Sequence, residues 1–261
     1  MFDWLFKPAC PCDPAAKSWV EERLEWLAAE FGDSAFNGRP VVLPAHEFFP
    51  DTYDGSRHAV FDMFERVCGY MDVVRQLVTL RITANSPKVW LENAAGHALP
   101  DAAGTFEEGR RQFVVSLDES GFDDPMGLVG TMAHELAHVR LLGEGRVSPY
   151  VFDNELLTDL TVVHFGLGIF LANTPRNWAS GNTRWPDSPD LVKPEYMTPP
   201  MFGWALAHLA WFRDEARPDW ARHLTGGARA EFRQGLRYLT ATADSWHRPE
   251  RLRKRPPGRP G

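Results

Sequence analysis

The sequence predicts an α+β protein, mainly helical, in which a small mixed sheet packs on one buried helix and further helices follow towards the C-terminus. Three observations predict it. Segments with apolar residues at helical spacing recur from Pro14 to Ala241, alternating segments are confined to about residues 78–117, and Met126–Leu142 is too rich in Leu, Val, Met and Ala to keep a solvent face. At 261 residues, 44% hydrophobic and 24% charged, the composition is that of an ordinary globular chain whose core closes without disulfide or metal.

In chain order, Pro14–Phe31 reads as a helix with Trp19, Leu24, Leu27 and Ala28 at helical spacing and Gly32 as its stop. Residues 39–44 are a short extended piece. After a turn at Asp51–Gly55, Ser56–Tyr70 reads as a second helix with Val60, Met63, Phe64 and Val67 facing inward. Val78–Thr83, Lys88–Leu91 and Arg111–Leu117 read as strands, the last being the best in the sequence. The buried helix, 126–142, should end at Gly143–Gly145. A long helix from about Phe152 to Leu171 follows, with Ser148–Pro149 or Asp153 as its cap. Residues 173–200, dense in Pro, Asn, Gly, Ser and Trp, read as a loop, and Met201–Asp214 and Ala228–Ala241 as amphipathic helices. No internal repeat is visible. One domain is expected over 1–246: helices and sheet at about 1–120, the two central helices at about 124–172, and loop and C-terminal helices at about 173–246. The Pro- and Arg-rich tail, 247–261, should be disordered.

The net charge of −7 conceals an asymmetry, because residues 248–261 carry six basic groups against Glu250 while the remainder stands at −12. Such an acidic body disfavours nucleic acid as a partner. Three cysteines, Cys10, Cys12 and Cys68, argue against a secreted disulfide framework, and the start shows no basic segment followed by an apolar one. A cytoplasmic location is expected. The longest apolar stretches, Leu128–Leu142 and Leu160–Ala172, are broken by charged residues, histidines or glycines, so no membrane anchor is expected. Cys10 and Cys12 have no second Cys or His pair near them in sequence and read as an exposed reduced pair.

The chemistry concentrates in the buried helix, which carries His134-Glu135-x-x-His138. Four residues advance a helix by about 400°, so the two imidazoles stand nearly one above the other and can converge on one cation, with Glu135 on the adjoining edge. In that arrangement a carboxylate reaches a metal-activated water while staying outside the coordination sphere. Leu128, Val129, Met132, Ala133, Leu136, Ala137 and Leu141 leave the three polar groups little solvent, and burying them is costly without a shared partner. A zinc ion, Zn2+, is such a partner.

A catalytic zinc usually takes three protein ligands and keeps an open position. Glu155, seventeen residues after His138, is the preferred third ligand, because the spacing allows the first helix to end, turn at Gly143–Gly145 and return antiparallel. Asp159 lies one turn further on, about 40° around the helix, placed to accept the second N–H of a ligating imidazole. His164 points to the opposite side and reads as a core histidine. Glu144 would occupy the third-ligand position of an extended His-Glu-x-x-His-x-x-Gly-x-x-His motif, but Leu141 stands where that motif needs glycine, and Gly143 reads as a plain helix cap.

Residues 111–172 resemble the gluzincin branch of the zincin metallopeptidases, in which a His-Glu-x-x-His helix precedes a helix bearing Glu-x-x-x-Asp. The matching residues are His134, Glu135, His138, Glu155 and Asp159. The resemblance implies a zincin-like fold, zinc held by His134, His138 and Glu155, Glu135 as catalytic acid/base and Asp159 as a supporting carboxylate. The remainder of the chain looks like a bacterial family outside the named peptidases. The connection from His138 to Glu155 is shorter than in thermolysin-like members. Tyr150, Tyr196 and His208 are of the type those members use to steady an oxyanion, though each reads first as a packing or surface residue.

The function expected is zinc-dependent hydrolysis of a peptide or protein substrate, with the strand at Phe113–Leu117 receiving an extended peptide along its edge. The alternatives are a non-catalytic zincin-like binding module and a zinc hydrolase of a non-peptide amide or ester.

Overall fold

The computed structural model describes residues 8–32, 36, 38–84, 91–92, 98–99, 104–108, 113–174 and 183–253. The fold is α+β and mainly helical. The chain divides into two compact units, one of residues 1–39, 184–193 and 198–261, the other of residues 40–183 and 194–197.

Helix α1 (Pro14–Phe31) opens the first unit. Asp13 caps it by accepting from the backbone N–H groups of Ala15 and Ala16, and Gly32 stops it at φ 86°.

The second unit begins with α2 (Arg57–Tyr70), capped by the Ser56 hydroxyl. Strands β1 (Val78–Thr83), β2 (Leu91–Glu92), β3 (Ala98–Leu99), β4 (Gly104–Glu108) and β5 (Phe113–Asp118) follow. Strands β2 and β3 pair antiparallel by themselves, and the main sheet has the order β1-β5-β4. It is mixed: β1 runs parallel to β5 from Val78↔Phe113 to Thr83↔Asp118, and β4 runs antiparallel to β5 from Gly104↔Leu117 to Glu108↔Phe113. Most of the expected strand at Lys88–Leu91 lies outside the described residues.

Helix α3 (Pro125–His138) carries the motif. The Asp124 carboxylate accepts from the Gly127 N–H at 3.0 Å and Pro125 occupies the first turn, so the start is well defined. Every residue from Met132 to His138 is buried, as expected of so apolar a helix. It packs against β4, β5 and α2. Residues 139–143 continue it as one π-helical turn. The helix then closes at Gly145 rather than at Gly143: Gly145 has φ +67°, its N–H bonds the Leu142 carbonyl, and the Arg146 N–H bonds the Leu141 carbonyl. Gly143 serves packing instead, since a Cβ there would lie 2.6 Å from the Phe113 ring.

The long helix expected over 152–171 is two helices, α4 (Asn154–His164) and α5 (Gly168–Asn173). The break lies at Gly166, which has φ +89° and accepts a hydrogen bond from the Val42 N–H at 2.9 Å, while a Cβ there would come 2.6 Å from the Pro40 carbonyl oxygen. The extended piece around Val42 thus takes the place that a continuous helix would need.

The region expected as loop, 173–200, contains a short hairpin of the first unit, β6 (Arg184–Trp185) and β7 (Ser188–Val192), and then Pro194–Met197, which belongs to the second unit. The first unit resumes with α6 (Pro199–Phe212) and α7 (Gly226–Thr242), which meet where Gly203 and Gly235 remove side chains from the contact. A last helical turn, α8 (Glu250–Arg253), ends the described chain. His247, placed by sequence in the tail, is buried and stacks on Phe212 with ring centroids 4.4 Å apart. The tail beyond Arg253 lies outside the described residues. Among the described residues no helix is long and apolar enough to cross a membrane.

Candidate metal centre

The two histidines of α3 lie one helical turn apart and both project towards α4. Their rings meet edge to face with centroids 4.8 Å apart. From α4, Glu155 Oε2 lies 3.0 Å from His134 Nε2 and 3.5 Å from His138 Nε2. One oxygen therefore addresses both rings. The ligand atoms of His134, His138 and Glu155 all lie within 4.8 Å of one another.

The outer nitrogens are also engaged. His134 Nδ1 lies 2.9 Å from Asp159 Oδ1, and the other Asp159 oxygen accepts the Met197 N–H at 3.0 Å. Asp159 is completely buried. As a carboxylate it accepts from both, so the Nδ1 of His134 carries the hydrogen. His138 Nδ1 lies 3.3 Å from the Thr158 hydroxyl, which is also buried and whose oxygen lies 2.8 Å from the Asn154 carbonyl. A carbonyl only accepts, so the single hydroxyl hydrogen goes to Asn154. The hydroxyl oxygen must then accept from His138 Nδ1–H. In the neutral state with the hydrogen on Nδ1, each ring then presents Nε2 as a lone pair towards Glu155.

This donor set fits a divalent transition ion. With both rings neutral, two imidazole nitrogens and a carboxylate oxygen face one another as acceptors, an arrangement that a cation or an extra proton reconciles. Separations of 3.0 and 3.5 Å from Glu155 to the two rings, with all three ligand atoms within 4.8 Å of one another, are close enough for one metal ion to be shared. Side-chain exposures of 7% for His134 and 9% for His138 make the cluster nearly dry, while 18% at Glu155 leaves an approach from solvent. Burial pushes the Glu155 carboxyl up, but when the facing rings hold a proton in place of a metal, the charge of His138 and hydrogen bonds from both rings outweigh it and keep the group well below the usual carboxylate range.

The structure thus brings together His134, His138 and Glu155, with Asp159 behind His134. Glu135 is buried on α3 and is not among the converging ligands. Glu144 is elsewhere, past the end of the helix, held by Arg140 at 3.1 Å and Arg146 at 2.8 Å. Of the three oxyanion candidates, Tyr150 is 81% exposed, and His208 belongs to the first unit, where it is bonded to the Trp204 carbonyl and Ser245. Tyr196 is different: its ring centroid lies 5.9 Å from that of His134. His164 is buried beside Phe165, as a core histidine should be. Cys10 and Cys12 are free thiols of intermediate exposure.

Two partners were not foreseen from sequence. Thr158 had a legible signal, a hydroxyl between Glu155 and Asp159 and one turn from Asn154. The Met197 N–H had none, because a backbone group carries no residue identity.

The chain matches no protein-family model, no curated protein and no solved structure. The functional reading therefore rests on the site.

Proposed function

We propose that the protein is a zinc-dependent metallopeptidase of the gluzincin type, acting in the cytoplasm on a peptide or protein substrate. The observation that carries this reading is the convergence of three acceptor atoms, two of them on rings whose opposite nitrogens are already committed. The order of elements supports a zincin-like arrangement: a mixed sheet, a motif helix packed on it, and a following helix bearing Glu155 and Asp159.

Zinc held by His134, His138 and Glu155 would supply Lewis-acid polarisation of the scissile carbonyl and a water acidic enough to ionise near neutral pH. Glu135, next to a ligand yet outside the converging set, takes the proton of the attacking water and returns it to the departing amine. Asp159 and Thr158 hold the two imidazoles in the ligating tautomer. The substrate strand cannot add to β5 as the sequence suggested, because β5 is the central strand and is paired on both sides. Among the described residues β1 and β4 are the two edge strands of the main sheet, and β4 packs against α3, so an extended peptide is placed along β4 instead.

The test is Glu135→Gln. The variant should retain one zinc per chain and lose hydrolysis of a peptide library by about 10²–10⁴-fold. Native protein that carries no stoichiometric zinc, or a variant as active as the native enzyme, overturns the proposal. Cleavage confined to esters or non-peptide amides would keep the metal chemistry and change the substrate class.

A further inference from the structure

Asp159 secures only one of the two imidazoles, and the other ring is secured by a different kind of group. His138 Nδ1 faces the hydroxyl of Thr158 at 3.3 Å, on the same α4 turn that carries Glu155. Thr158 is completely buried. A threonine in a helix commonly gives its hydroxyl hydrogen to the carbonyl four residues back, and Thr158 does so to Asn154 at 2.8 Å. That bond is local and by itself says nothing of function. Its consequence is that the hydroxyl has no hydrogen left to offer, so towards His138 it can act only as an acceptor.

The direction matters because the two neutral tautomers of His138 are not equivalent here. With the hydrogen on Nδ1, Nε2 offers a lone pair where His134 Nε2 and Glu155 Oε2 converge. With the hydrogen on Nε2, the ring directs an N–H at that point and cannot ligate.

We infer that Thr158 is a positioning residue for metal binding: its hydroxyl, polarised by the Asn154 carbonyl, selects the Nδ1–H tautomer of His138 and so keeps Nε2 available to the metal. The inference rests on the metal-site reading above. Asn154, Thr158 and His138 form a short relay in which a helix's own carbonyl, through one hydroxyl, sets the proton position on a ring of the neighbouring helix. Valine has nearly the shape of threonine but cannot accept, so it removes the acceptor that faces His138 Nδ1–H. Serine keeps the oxygen and loses only a methyl group.

The test compares native protein, Thr158→Val and Thr158→Ser in two measurements. The first is the tautomer of His138 in metal-free protein at alkaline pH, read from imidazole nitrogen NMR. The second is Zn2+ affinity by competition with a chromophoric chelator. The native protein and Thr158→Ser should show Nδ1–H. Thr158→Val should shift towards Nε2–H and bind Zn2+ about 10–100-fold more weakly. An Nε2–H tautomer in the native protein overturns the inference even if Thr158→Val does not fold. So does a Thr158→Val protein with native tautomer and native affinity. If the native protein shows Nδ1–H yet binds no Zn2+, the metallopeptidase reading falls, while the tautomer comparison still decides the role of Thr158.

Discussion

Replacing Asp159 by asparagine changes almost no volume, but it converts a group with two accepting oxygens into one with a single acceptor and an NH2. Asp159 is completely buried and receives the His134 Nδ1–H at 2.9 Å and the Met197 N–H at 3.0 Å. The asparagine oxygen can serve one of these donors, and its NH2 then faces the other, donor against donor. A hydrogen bond to a charged group contributes about 1.5–3 kcal/mol, and a buried donor left unsatisfied costs about 1–3 kcal/mol. Removing a buried charge recovers part of that, so metal-free Asp159→Asn should be less stable by about 2 kcal/mol in urea unfolding. If His134 ligates zinc as proposed, losing the group that orients its imidazole should also weaken Zn2+ binding by about 10–100-fold, measured by chelator competition. Asp159→Ala, which leaves both donors unmet, should lose at least as much in each assay. An Asp159→Asn protein with native stability and native Zn2+ affinity would refute the assignment of Asp159 as the acceptor joining His134 to the 194–197 segment.

Two further outcomes concern the first unit. Burial holds the His208 imidazole down to about 3, against 6.5 for the free side chain, although its bond to the Trp204 carbonyl works in the other direction. The native state therefore refuses a proton that the unfolded chain accepts, so stability is complete above about pH 6.5, falls as pH drops, and levels off near pH 3. Over that window the native protein should lose a few kcal/mol more than His208→Gln, with a slope in unfolding free energy against pH that differs by about one proton; equal slopes would show that His208 does not contribute. At the crossing of α6 and α7, a Cβ on Gly203 would lie 2.5 Å from Glu231 Cβ and 2.7 Å from the Glu231 carbonyl carbon, whereas nothing lies within 4 Å of one on Gly227. Gly203→Ala should cost about 1–3 kcal/mol despite its better helix propensity, and Gly227→Ala should be neutral or stabilising; similar melting temperatures for the two would contradict the close crossing.

The parts of the site legible in the sequence are those that depend on local periodicity. His134 and His138 share a face because they are four residues apart, Glu155 and Asp159 do so for the same reason, and the uninterrupted apolar context of the motif marks its helix as buried. Caps were less so: Asp13, Ser56 and Asp124, none of them picked out from sequence, each accept a backbone N–H at the start of their helices, whereas Asp153, expected as a cap, stands at the cap position of α4 with no side-chain cap hydrogen bond. What depends on the path of the chain was not legible. Gly166 looks like a tolerable helical glycine until the Pro40 carbonyl is seen 2.6 Å from where its Cβ would be. Phe113–Asp118 has the pattern of a good strand whether it lies at an edge or in the centre, and only pairing on both sides decides that no peptide can add to it.

The same division runs through the candidate metal centre. Sequence determined which side chains carry ligand chemistry and which of them share a helical face, because those properties follow from residue type and from the pitch of one helix. Tertiary structure decided which nitrogen of each ring points inward, since that depends on what stands behind the ring. Behind His138 it is a hydroxyl whose hydrogen is already committed to Asn154. Behind His134 it is a carboxylate steadied by a backbone N–H from 38 residues further along the chain, a group that every residue but proline possesses and that no pattern of letters can single out.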